Sequence, residues 1–397
     1  MIELGHPAFW RATAALCLGS FMIFANVYIT QPLLPMLADE FSVSPLLAGW
    51  SFTVTTLMLG LSLLLYGPLS DAVGRRGIML ATMVGATLIT FALSLTENYT
   101  TLVLLRALQG FLLGGLPAIA IAYMGDEFSK PAVAVAVGLY ISGNSLGGIG
   151  GRLIGGFVGD WLGWSSAFLV MGVVSLVCLT LFAFMLPPSR GFQPHRLHPR
   201  VMVADLAGHL RNPLLLVAYL IGGFNFFIFV NQYSYATFVL AAAPYNLSAS
   251  FLGLLFLTYL TGTLASTLAG RVALRLSQPR CMALGILCLI GGSLVTLLPS
   301  LVAIIGGFFI NSFGFFFAHS SISSWVSHNA ERAKASASSL YLLFYYIGAS
   351  SGGFYLHPFW ELAGWPGVVA GSLLVLALTL TGALWLSRRR QRVLAAA

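Results

Sequence analysis

Apolar residues fill most of the chain in runs of about twenty, long enough to cross roughly 30 Å of hydrocarbon as a helix. Short polar stretches separate them, and none of the runs alternates as a half-buried strand would. The pattern predicts twelve helical spans, over 12–34, 46–66, 77–96, 101–123, 132–157, 165–186, 213–238, 249–270, 281–298, 301–323, 335–356 and 366–387. The longest polar stretch, 187–212, carries Pro194, His195, His198, Pro199 and four arginines. It reads as a linker between an N-terminal six-helix bundle, 1–186, and a C-terminal one, 213–397.

Composition turns this pattern into a class. Residues are 58% hydrophobic and 8% charged, against about a quarter charged in soluble domains. Backbone groups in hydrocarbon need internal partners, so the expected fold class is an all-α integral membrane protein. The formal charge of +8 does not point to nucleic acid, because 17 of the 19 basic residues, among them Arg11, Lys130, Arg271 and the Arg388–Arg390 tail, fall on alternate connections or at the termini. Positive charge collects on the cytoplasmic side, which places both termini there. Cys17, Cys178, Cys281 and Cys288 all lie in apolar runs and read as packing residues. The first run exceeds a signal-peptide core and is expected to remain as a span.

The two halves repeat one another. Phe41–Gly49 lines up with Tyr245–Gly253, Leu139–Gly151 with Leu340–Gly352, and Gly163-Trp164 with Gly364-Trp365. Each match is short, but all fall at the same element of their half.

Between spans two and three the chain reads Gly67-Pro68-Leu69-Ser70-Asp71-Ala72-Val73-Gly74-Arg75-Arg76-Gly77. Three glycines permit tight turning, and both signs of charge stand near neighbouring helix ends. The stretch resembles the loop between the second and third spans of the major facilitator superfamily, matched by Gly67, Leu69, Asp71, Gly74, Arg75 and Arg76. That resemblance implies two pseudo-symmetric six-helix bundles that rock about a site lined by spans one, four, seven and ten. It also implies a cytoplasmic gate in which Arg75 pairs with Asp126. The second-half counterpart, Gly270-Arg271-Val272-Ala273-Leu274, lacks the acid, so the gate is expected to be one-sided.

Candidate chemistry lies inside the spans. Pro32 and Pro35 break the end of span one and free backbone carbonyls, near Asn26 and Gln31. These amides either line a cavity or bond neighbouring helices. Span four carries Arg106 with Gln109, Gly110 and Pro117, and resembles the superfamily's fourth-span motif. An arginine in hydrocarbon costs about 3 kcal/mol on insertion scales, so Arg106 either serves function or is satisfied by carbonyls or the interface. In span five Gly143, Gly147, Gly151 and Gly155 form a stripe for tight helix packing. It resembles the antiporter motif of the twelve-span drug/proton antiporter branch, which includes sugar-efflux-permease-like members. The departure is Arg152, where the repeat holds Gly353.

Spans seven and ten offer Asn225, Gln232, Asn311 and His319 among phenylalanines, a mixture typical of small-molecule sites. His319 is suited to carry a coupling proton and equally suited to pack as a neutral ring. The 11 acids all fall in loops or at span ends, so the deep charges are Arg106 and Arg152. Charge therefore favours a neutral polar or anionic substrate over a cation. The resemblance implies a secondary transporter, most similar to exporters, in a bacterial inner membrane. Its expected partners are a small molecule, the lipid bilayer and a proton, with the chain as a monomer. An uptake symporter for an organic anion, a multidrug exporter and a lipid flippase are the alternatives. No nucleotide loop, metal-ligand spacing or nucleophile–base pair points to an enzyme or a cofactor, and the proton gradient is the expected energy source.

Overall fold

A computed structural model describes residues 1–192, 199–273, 275–330 and 334–396. Part of the predicted linker, 193–198 with Pro194, His195 and His198, lies outside the described residues. Among the described residues eleven helices are long and apolar enough to cross a membrane. The last of them, α15 (Lys334–Ala396), leaves helical geometry at Ala363 and Gly364, the latter with φ +56°. Spans eleven and twelve are therefore both present, joined through a two-residue break.

The remaining elements are α1 (Pro7–Tyr28), a 3₁₀ turn (Gln31–Leu33), α2 (Leu34–Phe41), α3 (Pro45–Val73), α4 (Arg75–Ser94), α5 (Tyr99–Leu113), α6 (Gly115–Glu127), α7 (Lys130–Leu162) and α8 (Trp164–Met185). The second half holds α9 (Pro199–Arg211), α10 (Pro213–Ala241), α11 (Ala249–Leu255), a 3₁₀ segment (Phe256–Leu260), α12 (Thr261–Val272), α13 (Gln278–Val295) and α14 (Leu301–Asn329). Helix α9 falls within the stretch read as linker. Its Pro199 opens the helix, where the missing N–H costs nothing, and this is why a proline-rich stretch still coils.

Three other departures from the sequence reading have local causes. The predicted turn over 67–77 shrinks to one residue: α3 runs through Pro68 to Val73, α4 starts at Arg75, and Gly74 alone takes φ +118°. Span four is divided at Gly114, where a Cβ would overlap the Ser62 hydroxyl, and Pro117 in the next turn lacks the N–H that would continue the ladder. Span eight is divided by the 3₁₀ segment, a tightening of the kind that often marks a hinge.

Contacts divide the chain into two compact units: Met1–Leu197 with Asn246–Phe256, and His198–Tyr245 with Leu257–Ala397. In the first, α1 packs on α7 and α8, α3 on α5, and α4 on α5 and α8. The short α11, from the predicted eighth span, lies against α7. Asp160 at the end of α7 accepts from Ser248 Oγ at 2.7 Å and Ser250 Oγ at 2.6 Å, and Gly156 brings the two backbones together at Ala249 and Gly253. In the second unit, α10 packs on α15, and α14 on α12 and α13. Leucines and valines such as Leu88, Leu104, Val173, Leu176 and Leu264 remain exposed, as expected of faces turned to lipid.

The glycine stripe of α7 runs along α1. A Cβ at Gly143, Gly147, Gly151 or Gly155 would strike the carbonyls of Cys17, Phe21, Ala25 and Ile29 in turn. Gly348 and Gly352 repeat the contact against Gly223 and Phe227 of α10. Backbone thus meets backbone at regular intervals, the approach that small residues permit where helices cannot gain by leaving water. Gly151→Ala is expected to cost about 1–3 kcal/mol by forcing α1 and α7 apart. Gly138→Ala on the same helix, where the added Cβ meets nothing within 4 Å, should leave stability unchanged or slightly raised. Thermal unfolding in detergent micelles checks the pair, and equal melting temperatures would contradict the packing account.

Candidate functional site

Where α1 ends at Tyr28, its last carbonyls lose their ladder partners, and Pro32 supplies no N–H to replace one. Arg106 of α5 takes them. Its Nη1 donates to Asn26 O at 2.8 Å, Nη2 to Val27 O at 2.9 Å and Nε to Ser51 O at 2.8 Å, while Gln109 Oε1 accepts a further bond from Nη1. The side chain is fully buried, and among the described residues no carboxylate lies within ion-pair distance of it. Thr55 Oγ1 donates to the Arg106 carbonyl at 3.1 Å, and Gly110 lets α5 touch the backbone of α3 at Thr55.

Gln109 extends the network. Its Nε2 donates to Thr90 Oγ1 at 2.8 Å and Asn26 Oδ1 at 3.1 Å, and Asn26 Nδ2 donates to Ser175 Oγ at 2.8 Å. Asn26, Thr90, Arg106, Gln109 and Ser175 thereby tie α1, α4, α5 and α8 in one buried cluster. The amide of Asn26 is occupied in helix-to-helix bonding, one of the two uses its sequence position allowed.

Arg152 of α7 forms a second, separate centre. Nε donates to Gln31 Oε1 at 2.8 Å and Nη1 to Gly148 O at 2.9 Å. The guanidinium carbon lies 3.9 Å from the Tyr28 ring centroid and 4.4 Å from that of Phe256, within cation–π range on both faces. Gly148 leaves room for this, since a Cβ there would already touch both Arg152 and Tyr28. Phe256 carried no signal in the sequence. It stands at the first residue of the 3₁₀ segment, where tertiary placement rather than periodicity decides what its ring covers.

In the second unit Gln232, Ser293 and Asn311 form a triad. Asn311 Nδ2 donates to Gln232 Oε1 at 2.9 Å and to Ser293 Oγ at 3.0 Å, and Gln232 Nε2 to Ser293 Oγ at 3.0 Å. Phe308 stands three residues before Asn311 as Arg106 stands three before Gln109. Its carbonyl accepts from Tyr233 OH at 3.2 Å. Asn225 shares a helix with Gln232 but is not drawn into the triad: it is 1% exposed, and both its amide atoms are without a hydrogen-bond partner among the described residues. His319 lies apart again, with Nδ1 2.6 Å from Tyr341 OH.

At the Gly74 turn, Arg75 Nη1 meets Asp71 Oδ1 and Arg75 Nε meets Asp126 Oδ2, both at 2.6 Å. Arg76 caps the end of α8, with Nη2 donating to Ala183 O at 2.7 Å and Nε to Leu186 O at 3.2 Å. Gly67 and Gly77 are helical with open space beside them. A contact missed in the sequence joins the same region: Glu127 Oε1 accepts from Gly191 N at 2.8 Å.

A family model described as Major Facilitator Superfamily matches residues 16–353. This chain belongs to the Major Facilitator Superfamily. It is 38% identical over 386 residues to the uncharacterized MFS-type transporter YybF of Bacillus subtilis strain 168, covering 97% of this chain and 95% of that one. It is also 38% identical over 388 residues to the inner membrane transport protein YnfM of Escherichia coli K12, covering 98% and 93%. Among solved structures, a bacterial homologue of the human lysosomal transporter Spinster in an inward-facing, occupied conformation superposes with a TM-score of 0.77 at 16% identity, over 97% of this chain and 98% of that one. The fold is thus that of the superfamily, all-helical, and the protein is a multi-pass membrane transporter.

Seen within the superfamily fold, Arg106 and Asn225 are opposite cases, one buried polar group with all three nitrogens bonded and one with no bond among the described residues. Arg106→Leu strips donors from three carbonyls in hydrocarbon and should cost about 3 kcal/mol or more, with Arg106→Lys recovering part of it. Asn225→Leu removes an amide without partners and should stabilise by about 1 kcal/mol. Melting temperatures and detergent-soluble yield measure both. A stable Arg106→Leu protein would contradict the first, and a destabilised Asn225→Leu protein the second.

Proposed function

We propose that this transporter exports a small neutral polar or anionic molecule across the bacterial inner membrane, by alternating access driven by the proton gradient. The observation that carries the substrate class is the sign of the buried charge. Arg106 and Arg152 are buried within the spans, whereas the one buried acid among the described residues, Glu127, sits at the end of α6. Arg106 is bound to backbone carbonyls at the end of α1, and Arg152 is the cation we assign to the substrate. Its neighbours Gln31, Tyr28, Phe256 and the Gly148 carbonyl are neutral, and a carboxylate or phosphate in their place would convert neutral contacts into charge-assisted ones, roughly twice as strong. Export and proton drive rest on similarity to the antiporter branch. In this reading both termini are cytoplasmic, the chain acts as a monomer of two six-helix bundles, no catalysis is involved, and Asp71, Arg75 and Asp126 close the cytoplasmic side.

The test is a thermal-shift screen of the purified protein with gluconate and citrate as anions, arabinose as a neutral sugar and ethidium as a lipophilic cation, repeated with Arg152→Gly. A ligand at one hundred times its dissociation constant stabilises by about 2.7 kcal/mol. The expected result is a rise in melting temperature with an anion or the sugar, and loss of the anion shift in Arg152→Gly. A shift with ethidium that survives the substitution would overturn the substrate class in favour of multidrug export. Direction is read separately: accumulation in energised everted vesicles supports export, and accumulation in intact cells supports uptake by symport.

A further inference from the structure

We propose that His319, paired with Tyr341, is the proton-binding site of this transporter, with Tyr341 as its positioning residue. The assignment rests on the proton-driven reading above. A protein driven by protons needs a group inside its spans that changes charge near neutral pH. The buried arginines keep theirs throughout, and the acids of the described residues lie at helix ends or in connections. His319 sits almost three turns before the end of α14, roughly 15 Å along the axis, and an imidazole changes charge in the working range.

The surroundings suit a ring that alternates between two states. Tyr341 OH lies 2.6 Å from Nδ1. The Phe315 ring stacks on the imidazole at 5.7 Å and 19°, and the Tyr345 ring stands at 5.0 Å. Tyr341 is itself fixed, 2% exposed, with its ring edge against the backbone of α10 at Gly222, where a Cβ would overlap it. The titratable side chains in these contacts with the imidazole are Tyr341, through its hydroxyl, and Tyr345, through its ring, both on α15. Around this part of α14, α10 places Phe226 against Phe315 and Gly222 against Tyr341, α13 places Gly285 and Cys288 against Gly314, and α12 places Gly262 against Phe316, none of them charged.

In the Nε2–H tautomer of the neutral ring, Nδ1 accepts the tyrosine O–H. A proton arriving at Nδ1 makes that nitrogen a donor, and the bond reverses: N–H now points at the phenol oxygen, and the tyrosine proton turns to another acceptor. No other bond forms or breaks, and one positive charge enters a box of aromatic faces that favour it. Because Tyr341 spans from α14 to the backbone of α10, loading the proton changes the contact that holds α10, α14 and α15 together.

The full-length protein, labelled with 15N-histidine and held in lipid nanodiscs, is titrated from about pH 8 to about pH 5 by NMR. The signal missing in His319→Gln identifies the residue. It is expected to pass from the neutral to the protonated pattern, with a displaced midpoint in Tyr341→Phe, whose aromatic packing is retained. A signal that stays neutral throughout, or a midpoint that ignores Tyr341→Phe, overturns the pair. In parallel, proteoliposomes enclosing a pH-sensitive dye report proton flux on addition of gluconate, citrate or arabinose. Flux in the parent that is lost in His319→Gln supports the assignment. Flux that survives in His319→Gln removes the assignment and leaves proton drive intact, whereas a parent without flux for any of the three removes the proton-driven reading itself.

Discussion

Inside hydrocarbon a carbonyl that loses its helical partner has no water to turn to, and most of the first unit can be understood as an answer to that constraint. Helix α1 is the helix on which it bears hardest. It lies against α7 with its carbonyls packed on glycines, so along its length the ladder is complete and the two backbones touch. At Tyr28 the ladder stops, and the carbonyls of Asn26 and Val27 are left facing inward. The guanidinium of Arg106 supplies donors to both and to Ser51 of α3. A cation is costly in this setting, yet charge-assisted bonds to two carbonyls at the end of α1 and to a third, Ser51 O, within α3 offset the cost, and they fix the positions of α1, α3 and α5 together.

The second unit meets a related need without charge. Gln232, Ser293 and Asn311 on α10, α13 and α14 repeat the amide–hydroxyl–amide cluster that Asn26, Thr90 and Gln109 form on α1, α4 and α5. Where the first unit has Arg106 the second has Phe308, whose ring lies 4.3 Å from Tyr233 and whose carbonyl takes the Tyr233 hydroxyl. Around them Phe226, Phe229, Phe315 and Tyr345 stack on one another. The repeat has thus diverged in a definite direction, one copy keeping fixed cations and the other aromatic surface with a single imidazole among it.

Much of this was legible in the chain. Twelve spans follow from run length, and the four-residue glycine spacing of span five announced its close packing because the helical period is rigid. Arg75 and Asp126 were paired by resemblance and meet at 2.6 Å. What the sequence concealed were the breaks and the partners. Gly114 and the 3₁₀ segment at Phe256 interrupt helices inside apolar runs, where hydropathy carries no mark of them, whereas the break at Gly364 falls in the connection predicted between spans eleven and twelve. Gly74, by contrast, was hidden among Gly67 and Gly77, which look equally able to turn and are helical. Apart from Gln109, the partners of Arg106 are backbone carbonyls, which have no letter in the sequence. Phe256 over Arg152 and Ser248 with Ser250 on Asp160 join residues about ninety or more positions apart, a juxtaposition that only the tertiary fold creates.

The divergence of the two copies bears on how one chain could handle a proton and a solute. An arginine cannot register a change of pH near neutrality, so Arg152 presents the same charge to whatever approaches it at every stage of a cycle. An imidazole held by a tyrosine is the reverse: poor at fixing an anion while neutral, but able to change both its charge and the direction of its hydrogen bond. Assigning the solute to the first and the proton to the second gives each task to the group whose chemistry suits it. It also explains why no carboxylate is needed at mid-membrane. In a transporter for cations one carboxylate can serve both tasks, because proton and substrate compete for the same negative charge. For an anion an arginine cannot serve both tasks, since it takes up no further proton, and in the proposed reading the two functions are divided between Arg152 and His319.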